Sequence, residues 1–113
     1  MTVLATAVTV LTVTFWPQGL DGPSDRWTVR CGPAGGSLPA RIAACRKLNS
    51  LSAPFAPLRK DLVCTEIYGG PAVARVTGRF RGQRIWAEFR RRNGCEIGRW
   101  ERLRPLLPPA GNT

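Results

Sequence analysis

A chain of 113 residues, 43% apolar and 21% charged, suffices for one packed domain, leaves little room for a second, and is too apolar to be a disordered segment. Its formal net charge of +10 is carried by fifteen Arg against two Lys. We read this as an Arg-rich composition that keeps a small protein soluble, not as the mark of a ligand. The absence of His removes the usual general base and the commonest metal ligand.

Residues 1–7 are expected to be an N-terminal extension. The first basic residue is Arg26, so no charged n-region of a secretion signal is visible. Ala5-Thr6-Ala7 matches a small-x-small cleavage pattern with only four residues before it, and is expected to be either an accidental match or the end of a longer precursor's leader. No stretch is long and apolar enough to span a membrane as a helix. Residues 8–15 are β-branched and nearly alternate, which predicts a strand with a bulge at Val10-Leu11. Turn residues fill 17–25, including Pro17, Gly19, Gly22 and Pro23. A second strand follows, with Trp27, Val29 and Cys31 on one face, and the two strands are expected to pair as a hairpin. Gly32-Pro33-Ala34-Gly35-Gly36 reads as a loop. Ser37 is placed to cap a helix with Pro39 in its first turn, and Leu38, Ile42, Cys45 and Leu48 form its apolar stripe.

Pro54 and Pro57 end that helix, and no periodicity is visible from Asp61 to Pro71. Ala72, Ala74, Val76, Gly78 and Phe80, then Ile85, Ala87 and Phe89, alternate on either side of Arg81-Gly82 and predict a second hairpin. Residues 96–104 are expected to form a short helix or turn around Trp100 and Leu103, and Pro105, Pro108 and Pro109 predict a flexible Pro-rich tail over 105–113. The domain proper is thus 8–104. Its class is α+β: four or five antiparallel strands with a main helix on one face, and a core drawn from Phe15, Trp16, Trp27, Phe80, Trp86, Phe89 and Trp100.

The cysteines are Cys31, Cys45, Cys64 and Cys95. No pair is spaced C-x-x-C, which removes zinc-ribbon and thioredoxin-like readings, and an even count in a small Gly- and Pro-rich chain fits a disulfide framework. Three connectivities are open. Paired in chain order, the bridges close loops of about 14 and 31 residues, each stabilising by roughly 3–4 kcal/mol. Disulfides of that weight imply an oxidising compartment, so the protein is expected to be secreted. Without His neither a Ser-His-Asp nor a Cys-His pair can be built, and phosphate-loop and dinucleotide glycine motifs are missing. The chain is expected not to be an enzyme and to need no cofactor or metal.

Four stretches together carry a family signal: Cys31-Gly32-Pro33-Ala34-Gly35-Gly36 with Pro39 and Cys45; Cys64-Thr65-Glu66-Ile67-Tyr68 with Pro71; Gly78-Arg79-Phe80-Arg81-Gly82; and Asn93-Gly94-Cys95-Glu96. In these the chain resembles the Streptomyces subtilisin inhibitor family, from about Val8 to Trp100. The resemblance implies a five-stranded antiparallel sheet with two helices, a homodimer paired through the sheet, and the pairing Cys31–Cys45 and Cys64–Cys95. It implies a reactive-site loop of Val63, Cys64, Thr65, Glu66, Ile67 and Tyr68, with Glu66 entering the S1 pocket of a serine protease and Glu66–Ile67 as the scissile bond. Val63, Cys64 and Thr65 would meet S4, S3 and S2, while Asn93, Tyr68 and the Cys64–Cys95 bridge would brace the loop.

Two features depart from the family pattern. Where the family commonly shows Tyr-Asp-Pro, this chain has Tyr68-Gly69-Gly70-Pro71, one residue longer and expected to be more flexible. Glu66 is the second departure, because subtilisin-like S1 pockets generally prefer large apolar or basic side chains. A carboxylate in an apolar pocket costs desolvation unless a cation meets it. The expected target is therefore a subtilisin-type or a glutamate-specific protease. The alternative is a non-inhibitory secreted module that recognises an acidic partner through Arg79, Arg81, Arg84, Arg90, Arg91 and Arg92. Neither nucleic acid nor membrane is an expected partner, since no nucleic-acid motif accompanies the charge.

Overall fold

The structure, a computed structural model, describes residues 8–110. The expected extension over 1–7 lies outside the described residues. Four strands, β1 (Thr9–Trp16), β2 (Asp25–Cys31), β3 (Val73–Phe80) and β4 (Gln83–Phe89), form one antiparallel sheet in the order β2-β1-β3-β4. Two helices, α1 (Arg41–Asn49) and α2 (Gly94–Arg102), complete the α+β fold. Among the described residues the sheet has four strands, not the five implied by the resemblance. The stretch from 51 to 72 supplies none: Pro54, Pro57 and Pro71 lack the N–H a ladder needs.

Alternation of side chains decides the two faces of the sheet. One cross-strand row runs Trp27–Val13–Val76–Ala87 and points at the helices; the next runs Thr28–Thr12–Thr77–Trp86 and points away. Leu11, Val13, Phe15, Val29, Ala74, Val76, Ala87 and Phe89 are thereby buried. The expected bulge at Val10-Leu11 does not occur. Val10 pairs with Arg30 and Leu11 with Val29 in unbroken register, and Val10 simply takes its turn on the open face. At the tip of the second hairpin Arg81 and Gly82 both have positive φ, 50° and 82°, as a two-residue turn matched to strand twist requires.

The first helix starts later than its sequence suggests. Ala40 stands at the N-cap without a side-chain bond, while the Ser37 hydroxyl accepts the Thr28 N–H at 2.9 Å and so fastens the preceding loop to β2. With the start shifted, Ala44, Cys45 and Leu48 face the sheet and Ile42 is exposed. The Cys31–Cys45 bridge ties this face to β2. Arg81 closes the other end of α1, donating from Nη2 to the Leu48 and Leu51 carbonyls and from Nη1 to that of Ser52.

The core continues past residue 104, where a flexible tail was expected. Trp100 is fully buried and donates its indole N–H to the Pro108 carbonyl at 2.9 Å, and Leu103, Leu106 and Leu107 pack in the same cluster. Burial of three leucines, at up to about 2 kcal/mol each, holds this segment down despite its prolines. Trp86, placed with the core aromatics from sequence, is 65% exposed on the open face, where the Arg75 guanidinium lies between its ring and that of Trp16.

Candidate functional site

Between Pro57 and Val73 the chain forms an irregular strap that passes the first turn of α2 before entering β3. Apolar side chains normally avoid water, yet here Val63 is 98% exposed, Ile67 60% and Tyr68 66%. Thr65 and Glu66 between them are exposed as well. The segment is irregular but not loose, because it is fastened on both sides of Glu66.

On the N-terminal side Cys64 is bonded to Cys95 in the first turn of α2, with the Cα atoms 5.3 Å apart. Next to it the Gly94 N–H donates to the Thr65 carbonyl at 2.9 Å. Gly94 owes its identity to this approach: a Cβ there would collide with Thr65 Oγ1. Asn93 acts one step removed. Its side-chain oxygen accepts the Glu96 N–H at 3.0 Å and so caps α2, while a Glu96 carboxylate oxygen accepts the Arg92 N–H at 2.8 Å. The cap fixes the turn from which Gly94 and Cys95 hold the loop. Thus the Asn93 carboxamide oxygen grips its own helix and reaches the loop through the backbone.

The C-terminal side is fastened by Arg91. Its carbonyl accepts the Gly69 N–H at 2.7 Å, and its own Nε donates to the Gly69 carbonyl at 3.1 Å. A Cβ at Gly69 would stand 2.8 Å from the Ile97 side chain and 3.1 Å from the Arg91 Cβ. Glycine therefore allows close docking here, where sequence suggested flexibility. Glu66, Ile67 and Tyr68 lie between the two fastenings. Tyr68, proposed from sequence to brace the loop from behind, points to solvent instead.

Carboxylates nearby are kept ionised. Glu96 is held below the ordinary carboxylate range by the Arg92 guanidinium, against the opposing effect of its burial. Burial is the largest influence on Glu101 and raises its pKa, but hydrogen bonds from Arg104 and Arg91 together outweigh it and lower the net value.

The same contacts dismantle much of the arginine cluster. Arg90 pairs with Glu88, Arg91 with Glu101 and Arg92 with Glu96, and Arg81 is engaged at the end of α1. Arg91 was the residue least visible in the sequence: as the middle of three arginines it read as surface charge, yet it is buried. The described residues hold no group of three or more acidic or cysteine side chains able to take a metal ion.

A profile of the family described as "Subtilisin inhibitor-like" matches residues 5–93. Subtilisin inhibitor-like protein 5 of Streptomyces fradiae is 37% identical over 73 residues, covering 62% of this chain and 67% of that protein. Among solved structures, sermetstatin of Streptomyces caespitosus, in complex with Bacillus licheniformis subtilisin, matches 87% of this chain and 98% of its own with a TM-score of 0.54. At 24% identity that likeness extends to the fold.

Proposed function

Because this chain belongs to the subtilisin inhibitor-like family, whose members are protease inhibitors and not enzymes, we propose that it inhibits a serine protease through Val63–Tyr68, with Glu66 as the P1 side chain and Glu66–Ile67 as the scissile bond. One observation carries the reading: an irregular, solvent-presented segment is fastened on both sides of Glu66, by a disulfide and Gly94 before it and by Arg91 after it. A substrate-like strand inhibits when it fits the enzyme yet cannot leave after attack. Ordering the strand before binding lowers the entropy lost on association, and the β-branched Ile67 stiffens its far side. Val63, Cys64 and Thr65 would then line the S4 to S2 subsites.

The P1 side chain argues for the class of target. A carboxylate is favourable only in an S1 pocket that offers a cation or several donors, which describes a glutamate-specific protease. A subtilisin with an apolar S1 pocket is the second candidate. The two disulfides fit an extracellular setting, and secretion is part of this proposal. So is a homodimer through the open face of the sheet. Its support is the exposed Trp86 beside Arg75 and Trp16, an aromatic and guanidinium group of the kind enriched at interfaces. The acidic-partner reading loses Arg81 and Arg90 to Arg92, which are engaged within the fold.

The test is a panel of proteases against Glu66 variants of the oxidised protein. Glu66→Ala should abolish inhibition of a glutamate-specific protease, and Glu66→Leu or Glu66→Met should gain inhibition of subtilisin. The proposal fails if none of these proteins inhibits either protease type at micromolar concentration.

A further inference from the structure

The Arg91 side chain is 1% exposed, although it is charged and adjoins a loop that carries the exposed Val63, Ile67 and Tyr68. Burying a guanidinium is costly unless its donors are met. Here the side chain is held in a particular pattern: Nε donates to the Gly69 carbonyl at 3.1 Å, Nη1 donates to Glu101 Oε2 at 2.9 Å, and the guanidinium carbon lies 5.4 Å from the centre of the buried Trp100 ring. The side chain thus spans from the loop to the last turn of α2 and the core. On the other side of Glu66 the corresponding tie is covalent.

We propose that Arg91 is a positioning residue that retains the leaving side of the loop after attack on Glu66–Ile67, and so determines how long the inhibitor survives its protease. The inference rests on the inhibitory reading above. Hydrolysis adds one water across that bond, leaving a carboxylate on Glu66 and an amine on Ile67. The Glu66 end stays because Cys64 is bonded to Cys95. The Ile67 end is joined to Gly69 two residues on, and Gly69 is held in both directions by Arg91. With both new ends kept in place, expelling the same water and remaking the bond stays competitive with release, because the reacting groups remain at high effective concentration. Without the Arg91 side chain, Gly69 would keep only the hydrogen bond from its N–H to the Arg91 carbonyl, next to Gly70 with its φ of 101°, and the leaving side would swing away.

The test compares wild type with Arg91→Met, Arg91→Lys and Glu101→Gln. Two readouts are used: the rate of Glu66–Ile67 cleavage during long incubation with the inhibited protease, followed by mass, and amide exchange at Gly69 in the free protein. Arg91→Met should speed cleavage about tenfold or more, equivalent to losing one charged hydrogen bond, while initial inhibition changes only a few-fold. Arg91→Lys keeps the charge but not the planar fork and should be rescued only in part. Glu101→Gln leaves every loop contact in place and should give a smaller increase in the same direction. Gly69 exchange should rise in the same order. Val76→Ala, a core change remote from the loop, controls for general destabilisation and should leave cleavage at the wild-type rate. Unchanged cleavage and unchanged Gly69 protection in Arg91→Met overturn the proposal, as does acceleration of equal size in Val76→Ala. If no protease is inhibited by any variant, the inhibitory reading falls. Gly69 exchange then decides separately whether Arg91 fixes the loop.

Discussion

The molecule uses a disulfide twice, in opposite surroundings. Cys31–Cys45 joins β2 to the buried face of α1, where Ala44 and Leu48 already pack on the sheet. Cys64–Cys95 joins two half-exposed residues, and its loop side is flanked by Val63, the most exposed of the large apolar side chains among the described residues. By chain entropy both restrict the unfolded state, the second more because it closes 31 residues against 14. In the folded state they differ. The first duplicates an attachment that packing also makes, while the second supplies the covalent half of an attachment whose other half is hydrogen bonds.

Removing the bridges one at a time is the strongest way to break this contrast. Cys64→Ser with Cys95→Ser should cost about 4 kcal/mol in denaturant unfolding and should also lose inhibition under conditions where the protein remains folded. Cys31→Ser with Cys45→Ser should cost about 3 kcal/mol yet leave inhibition near wild type below its unfolding transition. If both pairs lose inhibition equally at matched stability, the loop bridge has no special role. A milder probe is Asn93→Ala. Loss of the α2 cap should cost about 1 kcal/mol and loosen the loop by way of Gly94, seen as faster amide exchange at Gly94. Acid gives the smallest effect. Glu96 and Glu101 have lowered pKa values in the fold, so their stabilisation is complete above the ordinary carboxylate value of 4.5 and is lost as pH falls through the lower folded values. Stability followed by fluorescence should therefore decline below that point, and the decline should shrink in Glu96→Gln.

Both hairpins were legible, the first from near alternation and the turn residues over 17–25, the second from alternation on either side of Arg81-Gly82. The Cys64–Cys95 tether was legible through the family resemblance, since the cysteines alone leave three pairings open. What escaped follows from context. Ile42 looked like a stripe residue because the helix was started at Ser37, whose hydroxyl in fact serves Thr28. Leu106 and Leu107 were hidden by neighbouring prolines, although their spacing from Trp100 and Leu103 continues an apolar pattern. Gly69 read as freedom because sequence does not show the Ile97 and Arg91 side chains that need the room. Arg91 read as surface because burial of a charge depends on partners far away in sequence.

The fastening of the last described turn bears on durability. An inhibitor of the proposed kind would be exposed to trimming from its ends as well as to attack on its loop. An exopeptidase working inward past Ala110 meets two consecutive prolines, then Leu107 and Leu106, which are sealed in the core with the Trp100 indole bonded across them to Pro108. To go further it must first pull apart the core on which the loop's own support, α2, is seated.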